Sequence, residues 1–194
     1  MRTHSGGKER LRSRALVLLS GGLDSTACVH FYLSQGFAVE SVFLNYGQIA
    51  AAKERLSAAT VAAHYGAKHR ELEIAGASSK RPGVIQGRNA LLLLCALAEW
   101  ESVKGLVVVG IHGGTHYHDS SPCFVKAMQV VFDLYSQGQV RVAAPFLRWS
   151  KRDIWEYCRK DGVPTEMTYS CQQGGDRPCG QCESCLDRKE LDAL

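Results

Sequence analysis

Two stretches of this sequence carry residue types at spacings that can do chemistry. The first is Leu19-Ser20-Gly21-Gly22-Leu23-Asp24-Ser25-Thr26, set between the apolar run Ala15 to Leu19 and the apolar segment Ala27 to Leu33. A buried strand that runs through a Gly-Gly turn into a helix offers free backbone N–H groups, with the positive end of the helix dipole behind them. The glycines let the backbone approach an anion closely, Ser20, Ser25 and Thr26 add hydroxyl donors, and Asp24 suits a first-turn helix position or a magnesium ion. The anion this loop is expected to hold is pyrophosphate. No Gly-Lys-Ser/Thr follows at the spacing of a P-loop, which disfavours terminal phosphoryl transfer of the kinase or GTPase kind.

The second stretch is Cys171-x7-Cys179-x2-Cys182-x2-Cys185. Four thiolates complete a closed tetrahedral site and leave no position for a catalytic water, so a structural zinc is expected, with an iron–sulfur cluster as the lesser alternative. Gly174-Gly175-Asp176-Arg177-Pro178 has little apolar content, and a metal would order it. Cys28, Cys95, Cys123 and Cys158 read as scattered thiols, three of them in helical patterns. His112, His116 and His118 share one loop at uneven spacing. They suit a base or a substrate contact at least as well as a metal.

The elements that must position these groups read as one chain of alternating type. Ala15 to Leu19, Val39 to Leu44, His69 to Ile74, Leu106 to Ile111 and Val140 to Ala144 have strand length and apolar or β-branched character. Between and after them lie helical patterns to about Gln35, from Ile49 to Tyr65 before Gly66, from Asn89 (as cap) to Lys104, from Phe124 to Tyr135, and from Lys151 to Arg159 behind the cap Ser150. Alternation of this kind gives right-handed βαβ units in a doubly wound parallel α/β sheet. Ligands sit beyond the carboxyl ends of such strands, so the loops at Ser20, Asn45, Gly110 to Ser121 and Pro145 are expected to converge on one cleft.

At 194 residues, 45% hydrophobic and 22% charged, the chain supports one sizeable core. A flexible basic arm is expected over residues 1–14, the nucleotide domain over 15–165 and the four-cysteine segment over 166–194. Ala75 to Gln86, with its Gly, Ser and Pro, reads as a loop. The formal charge of +4 is modest and several of its basic residues lie near the termini, so nucleic acid is not an expected partner. No run of about 18 apolar residues is present and no signal-peptide core precedes the first strand, so a cytoplasmic protein without membrane contact is expected.

The glycine loop resembles the PP-loop of the N-type ATP pyrophosphatases, which implies an adenine nucleotide alpha hydrolase-like fold. Together with the cysteines and three further markers, Asn45-Tyr46-Gly47-Gln48, Gly87-Arg88-Asn89 and Thr168-Tyr169-Ser170-Cys171, it resembles the 7-cyano-7-deazaguanine synthase (QueC) family from about Ala15 to Arg188. That resemblance implies an ATP- and magnesium-dependent ligase. It would adenylate the carboxylate of 7-carboxy-7-deazaguanine and join it to ammonia, first as the amide and then as the nitrile, releasing AMP and pyrophosphate.

By the same resemblance ATP would be held by Leu19, Ser20, Gly21, Gly22, Asp24, Ser25, Thr26, Tyr46, Gln48 and Gly110. The substrate would be held by Gly87, Arg88, Asn89, Tyr117 and Asp119, the last reading its guanine-like edge. Asp24, Ser25, Lys151 and Arg88 would serve the chemistry, and the protein would be a homodimer. Three departures stand out: a short Ala75 to Gln86 loop, altered wording between Gly110 and Pro122, and Gln172 in place of an aromatic residue. They allow a QueC-like paralogue that stops at the amide, or that uses a larger amine such as a protein N-terminus in antiviral defence. A PP-loop tRNA sulfur transferase and a non-catalytic nucleotide sensor are the alternatives from other classes.

Overall fold

The computed structural model describes residues 13–75 and 85–193. The basic arm up to residue 12 and most of the Ala75 to Gln86 loop, 76–84, lie outside the described residues. Five parallel strands form one sheet: β1 (Arg14–Leu18), β2 (Ala38–Asn45), β3 (Lys68–Glu73), β4 (Gly105–Val108) and β5 (Val140–Ala143). Their order is β3-β2-β1-β4-β5. The helices are α1 (Leu23–Ser34), α2 (Ala51–His64), α3 (Arg88–Ala98), α4 (Pro122–Ser136), α5 (Lys151–Asp161) and α6 (Glu183–Asp192). This is the expected doubly wound PP-loop type of fold.

The sheet is covered on both faces, which is why its central strands read as continuous apolar runs. Alternate residues face alternate layers. Ala15, Val17, Val39, Phe43 and Val108 pack with α1, α2 and α5 in one core. Leu16, Leu18, Val42, Leu44 and Val107 pack with α3 and α4 in the other. Ser41 is a buried exception on its strand, and its hydroxyl pairs with His69 Nδ1 at 2.9 Å on neighbouring β3.

Several element ends differ from the sequence reading, each for a local reason. Arg14 belongs to β1 and not to the arm, because its guanidinium pairs with Glu40, which is only 8% exposed, and lies 5.6 Å over the Trp100 ring. Glu40 also accepts from Arg70 at 3.4 Å, so a buried carboxylate is neutralised at the end of the sheet away from the glycine loop. α3 stops at Ala98 and not at Lys104, since Trp100 must turn in against Gly105 to start β4. Asn89 does not cap α3. Gly87 occupies the cap at φ 75°, and the Asn89 amide donates instead to the Asp119 carbonyl at 3.2 Å. β4 ends at Val108, although Val109 N–H still bonds the Ala143 carbonyl. Ser150 caps α5 as expected, in a full capping box with Asp153. α6, ten residues inside the cysteine segment, is an addition to the sequence reading.

Gly21 joins the loop to the rest of the molecule. It sits at φ 77°, and a Cβ there would lie 2.6 Å from Ala58 N and 2.7 Å from Ser57 Oγ on α2. Both the backbone angle and the contact require glycine. Gly21→Ala is therefore expected to cost at least about 2 kcal/mol, read as a fall in melting temperature of roughly 4–8 °C in a domain of this size. A melting temperature within a degree of the parent would contradict it.

Candidate active site

The carboxyl ends of β1, β2 and β4 open on a cavity of about 600 Å³, within the range of small-ligand sites. Its floor is the glycine loop, with Leu19, Ser20, Gly22, Asp24 and Ser25 in the wall. α1 begins at Leu23 behind Gly22 with no side-chain cap. Its first-turn N–H groups have no carbonyl partner inside the helix, which leaves an anion the natural ligand. Ser25 Oγ donates to the Gly22 carbonyl at 3.0 Å and lies 3.2 Å from Ser20 Oγ, so both hydroxyls are ordered beside the turn. Lys151, at the start of α5, brings its Nζ to 2.7 and 2.6 Å from the two Asp24 carboxylate oxygens. Both groups are about three-quarters buried, with side chains 28% and 20% exposed, so the pair is fixed more firmly than a surface ion pair.

The wall beyond β2 is made by Tyr46, Gln48 and Glu54, with Arg88 and Asn89 from the start of α3. Gln48 braces this corner: its side-chain oxygen accepts from Tyr46 N–H and its amide donates to Glu54 at 2.8 Å. Burial lifts the Glu54 carboxyl above its usual range, while the Gln48 bond and the Arg88 charge draw it back. Burial likewise raises the Tyr46 hydroxyl against the pull of Arg88. Beyond β4, Gly110 is pressed on the first turn of α1. A Cβ at Gly110 would stand 2.9 Å from Ser25 N, so this strand end can only approach the loop without a side chain.

The cysteine segment closes the remaining side. Cys171, Cys179, Cys182 and Cys185 place their sulfurs within 4.8 Å of one another, and theirs is the only group of this kind among the described residues. His112, His116 and His118 therefore form no such group. Burial opposes ionisation of Cys171, but hydrogen bonds from Cys179 and Gln173 N–H and from the Cys179 and Cys185 thiols bring it down to about 6. Cys182 is the N-cap of α6 and Cys185 lies in its first turn, so the cluster sets the direction of that helix.

From α6 the side chains Glu183, Asp187 and Arg188 reach the cavity, as do Tyr169 and Gln172 before it. Tyr117 donates to Glu183 at 3.3 Å and so ties the loop after β4 to α6. Tyr169 N–H bonds the Gly21 carbonyl at 2.9 Å, and Ser57 Oγ bonds the same carbonyl at 2.8 Å and the Met167 carbonyl at 2.7 Å. Gly174 packs on Ile49 and Ala50, and Asp176 meets Lys53 at 2.6 Å.

The structure thus gathers most of the residues singled out from sequence, but not all. Leu19, Ser20, Gly22, Asp24, Ser25, Tyr46, Gln48, Arg88, Asn89, Gly110, Tyr117 and Lys151 line one cavity. Gly21, Thr26 and Gly87 do not line it. Asp119 does not line it: the 3₁₀ turn His118–Ser120, held through its backbone by Asn89, presents Ser120 with the preceding Tyr117 instead. Pro145 is also absent from the wall, and Lys151 takes the place expected for its loop. Glu54, Ser57 and the α6 residues Glu183, Asp187 and Arg188 were missed. Glu54 and Ser57 lie in an alanine-rich helix whose pattern says only that it is helical. In α6 the sole local signal is the i,i+4 pair Arg188–Asp192.

The chain matches the sequence model of the family described as "Queuosine biosynthesis protein QueC" over residues 14–82 and 77–191. It belongs to the QueC family. Relatives named 7-cyano-7-deazaguanine synthase include those of Methanoculleus marisnigri, 35% identical over 91% of this chain and 92% of that protein, and Archaeoglobus fulgidus, 34% identical over 91% and 84%. Among solved structures, a predicted tRNA methyltransferase subunit of Methanocaldococcus jannaschii superposes with a TM-score of 0.55 at 15% identity, covering 76% of each chain. The U34-tRNA thiolase NcsA of Methanococcus maripaludis, solved with its [4Fe-4S] cluster, gives 0.56 at 12% identity, covering 96% of this chain and 67% of that one. At these identities the two structures speak for the fold alone.

In this QueC-family chain the cysteine cluster is part of the cavity's construction, which gives it a measurable role. Cys182→Ser is expected to bring bound metal below about half an equivalent and to lower the melting temperature, because α6 loses its anchor. Elemental analysis and a thermal melt check this, and a variant with parental metal content and stability would contradict it.

Proposed function

We propose that this protein is an ATP-dependent C–N ligase that adenylates the carboxylate of 7-carboxy-7-deazaguanine and joins it to ammonia, first as the amide and then as the nitrile. The observation that carries this reading is that one cavity unites an uncapped glycine loop with a partly buried lysine–carboxylate pair and with the polar start of α3. The loop suits the pyrophosphate that must leave, Lys151 suits its growing charge, and Arg88 with Asn89 suits the polar edge and carboxylate of a small base. Magnesium would arrive with the nucleotide and neutralise its phosphates, and Asp24 is the carboxylate on the loop that fits such a hard cation.

For the cysteine cluster the reading is a single structural zinc. A tetrahedral ion with arms of about 2.3 Å needs sulfurs about 3.8 Å apart. Sulfurs all within 4.8 Å of one another support that, whereas a four-iron cube holds its thiolates wider.

Sulfur transfer to tRNA draws less support. That chemistry needs a reactive thiolate at the cleft. Burial pushes the Cys28 thiol well up and raises that of Cys95, and none of Cys28, Cys95 and Cys123 lines the cavity.

The assay is pyrophosphate release from ATP and magnesium on adding 7-carboxy-7-deazaguanine and ammonia, with the masses of the deazaguanine products followed over time. Substrate-dependent release and a nitrile product are expected, and release without the deazaguanine acid would reject the reading. Asp24→Ala is expected to lower the rate at least about 100-fold with an unchanged circular dichroism spectrum, because Lys151 then loses the group that holds it. Retained activity would show that the pair plays no part.

A further inference from the structure

We propose that His112 is a catalytic residue of this cleft, a neutral imidazole whose Nε2–H donates to an α-phosphoryl oxygen of ATP during adenylation. The inference rests on the adenylation reading above and adds to it a group that the family resemblance did not assign.

Position comes first. His112 follows the end of β4, and β4 lies beside β1 at the point where the strand order reverses, the usual ligand crevice of an open α/β sheet. Two residues earlier, Gly110 touches the first turn of α1 as described. The segment after it therefore runs directly across the anion loop, and His112 lines the cavity with Ser25, Asp24 and Lys151. The turn that carries it is clamped. Gly113 N–H bonds the Trp149 carbonyl at 3.1 Å, and a Cβ at Gly113 would lie 2.8 Å from the Leu147 carbonyl oxygen. The imidazole is thus placed by the same segment that starts α5 and Lys151.

The hydrogen bonding then fixes what the ring can do. His112 Nδ1 accepts the Gly114 N–H at 3.2 Å, so the neutral ring carries its proton on Nε2. Acting as a general base would require the other tautomer and the loss of that bond. Acting as a donor requires nothing to change. The charged groups facing it are Asp24 from α1, Lys151 from α5 and Asp187 from α6. Burial holds the imidazole below its ordinary range and Lys151 adds to this, while the two carboxylates oppose it. The ring therefore favours its neutral form more than an ordinary histidine does.

A fixed neutral donor matches the bond changes of this half-reaction. A substrate carboxylate oxygen forms a bond to the α-phosphorus, the bond from that phosphorus to the bridging oxygen of the β-phosphate breaks, and its electron pair leaves with pyrophosphate. No proton moves. The crowded non-bridging oxygens need donors already in place, and a group that neither gains nor loses a proton serves them throughout.

The test is pyrophosphate–ATP exchange driven by 7-carboxy-7-deazaguanine, which reads adenylation alone, in wild type and two variants with opposite deficits. His112→Asn keeps an acceptor for Gly114 N–H and removes the distal donor. His112→Gln keeps a donor near the Nε2 position and gives up the Gly114 bond. The expected result is a kcat for exchange reduced about 100-fold in Asn with KM for ATP within about threefold, and within about tenfold of wild type in Gln. In wild type, ¹⁵N NMR of the imidazole should show the Nε2–H tautomer, with a protonation midpoint below the ordinary histidine value of about 6.5.

Asn as active as wild type, equal losses in both variants, or an imidazole that carries its proton on Nδ1 would each overturn the proposal. If Asn fails to fold by circular dichroism, the Gln activity and the NMR tautomer decide in the same sense. Wild type without exchange would fail the adenylation reading itself, before any variant is compared, and take the proposal with it.

Discussion

The carbonyl of Gly21 is the point through which the structure hangs together. It accepts from Ser57 Oγ on α2 and from Tyr169 N–H in the cysteine segment, while the residue's own geometry leaves no room for a side chain. A loop whose N–H groups are reserved for a ligand cannot brace itself with those same groups. Its stiffness must come from outside, through its carbonyls and through close packing. Preorganisation of that kind is what lets an electrostatic site work without first rearranging.

The same logic extends outward from the loop. Ser57 also holds the Met167 carbonyl, Tyr117 holds Glu183, and Gly174 with Asp176 packs the cysteine segment onto the start of α2. The cleft is therefore framed by three parts of the chain that meet only in the folded state. Its polar residues are braced from behind: Gln48 spans Tyr46 and Glu54, and Lys151 is held by both oxygens of Asp24.

Much of this could be read from the residues alone. The glycine loop, the five strands, the parallel sheet and the four cysteines all depend on local pattern, and local pattern is what a sequence displays. Lys151 came with the family resemblance, and the Ser150 cap, which fixes where α5 starts, gives the physical reason for its place. What escaped depends on distant partners. Asn89 looked like a cap until Gly87 took that place and Asp119 offered a carbonyl. Asp119 looked like a substrate carboxylate, but the turn that carries it aims its neighbours at the cavity. Arg14 looked like part of a flexible arm because its partner Glu40 lies one strand away. The cysteine segment read as a stretch that a metal would order, and only its helix shows it to be a wall.

The placement of α6 has a consequence for how the protein comes into being. The ribosome delivers the glycine loop first, and the bond from Tyr169 to Gly21 and the side chains Glu183, Asp187 and Arg188 follow well over a hundred residues later. Until the four cysteines have emerged, the glycine loop keeps only its brace from Ser57, beside a cleft that lacks one side. Assembly of the site thus waits on the cysteine segment, and a chain that stopped before Cys171 would lack a whole wall of its pocket.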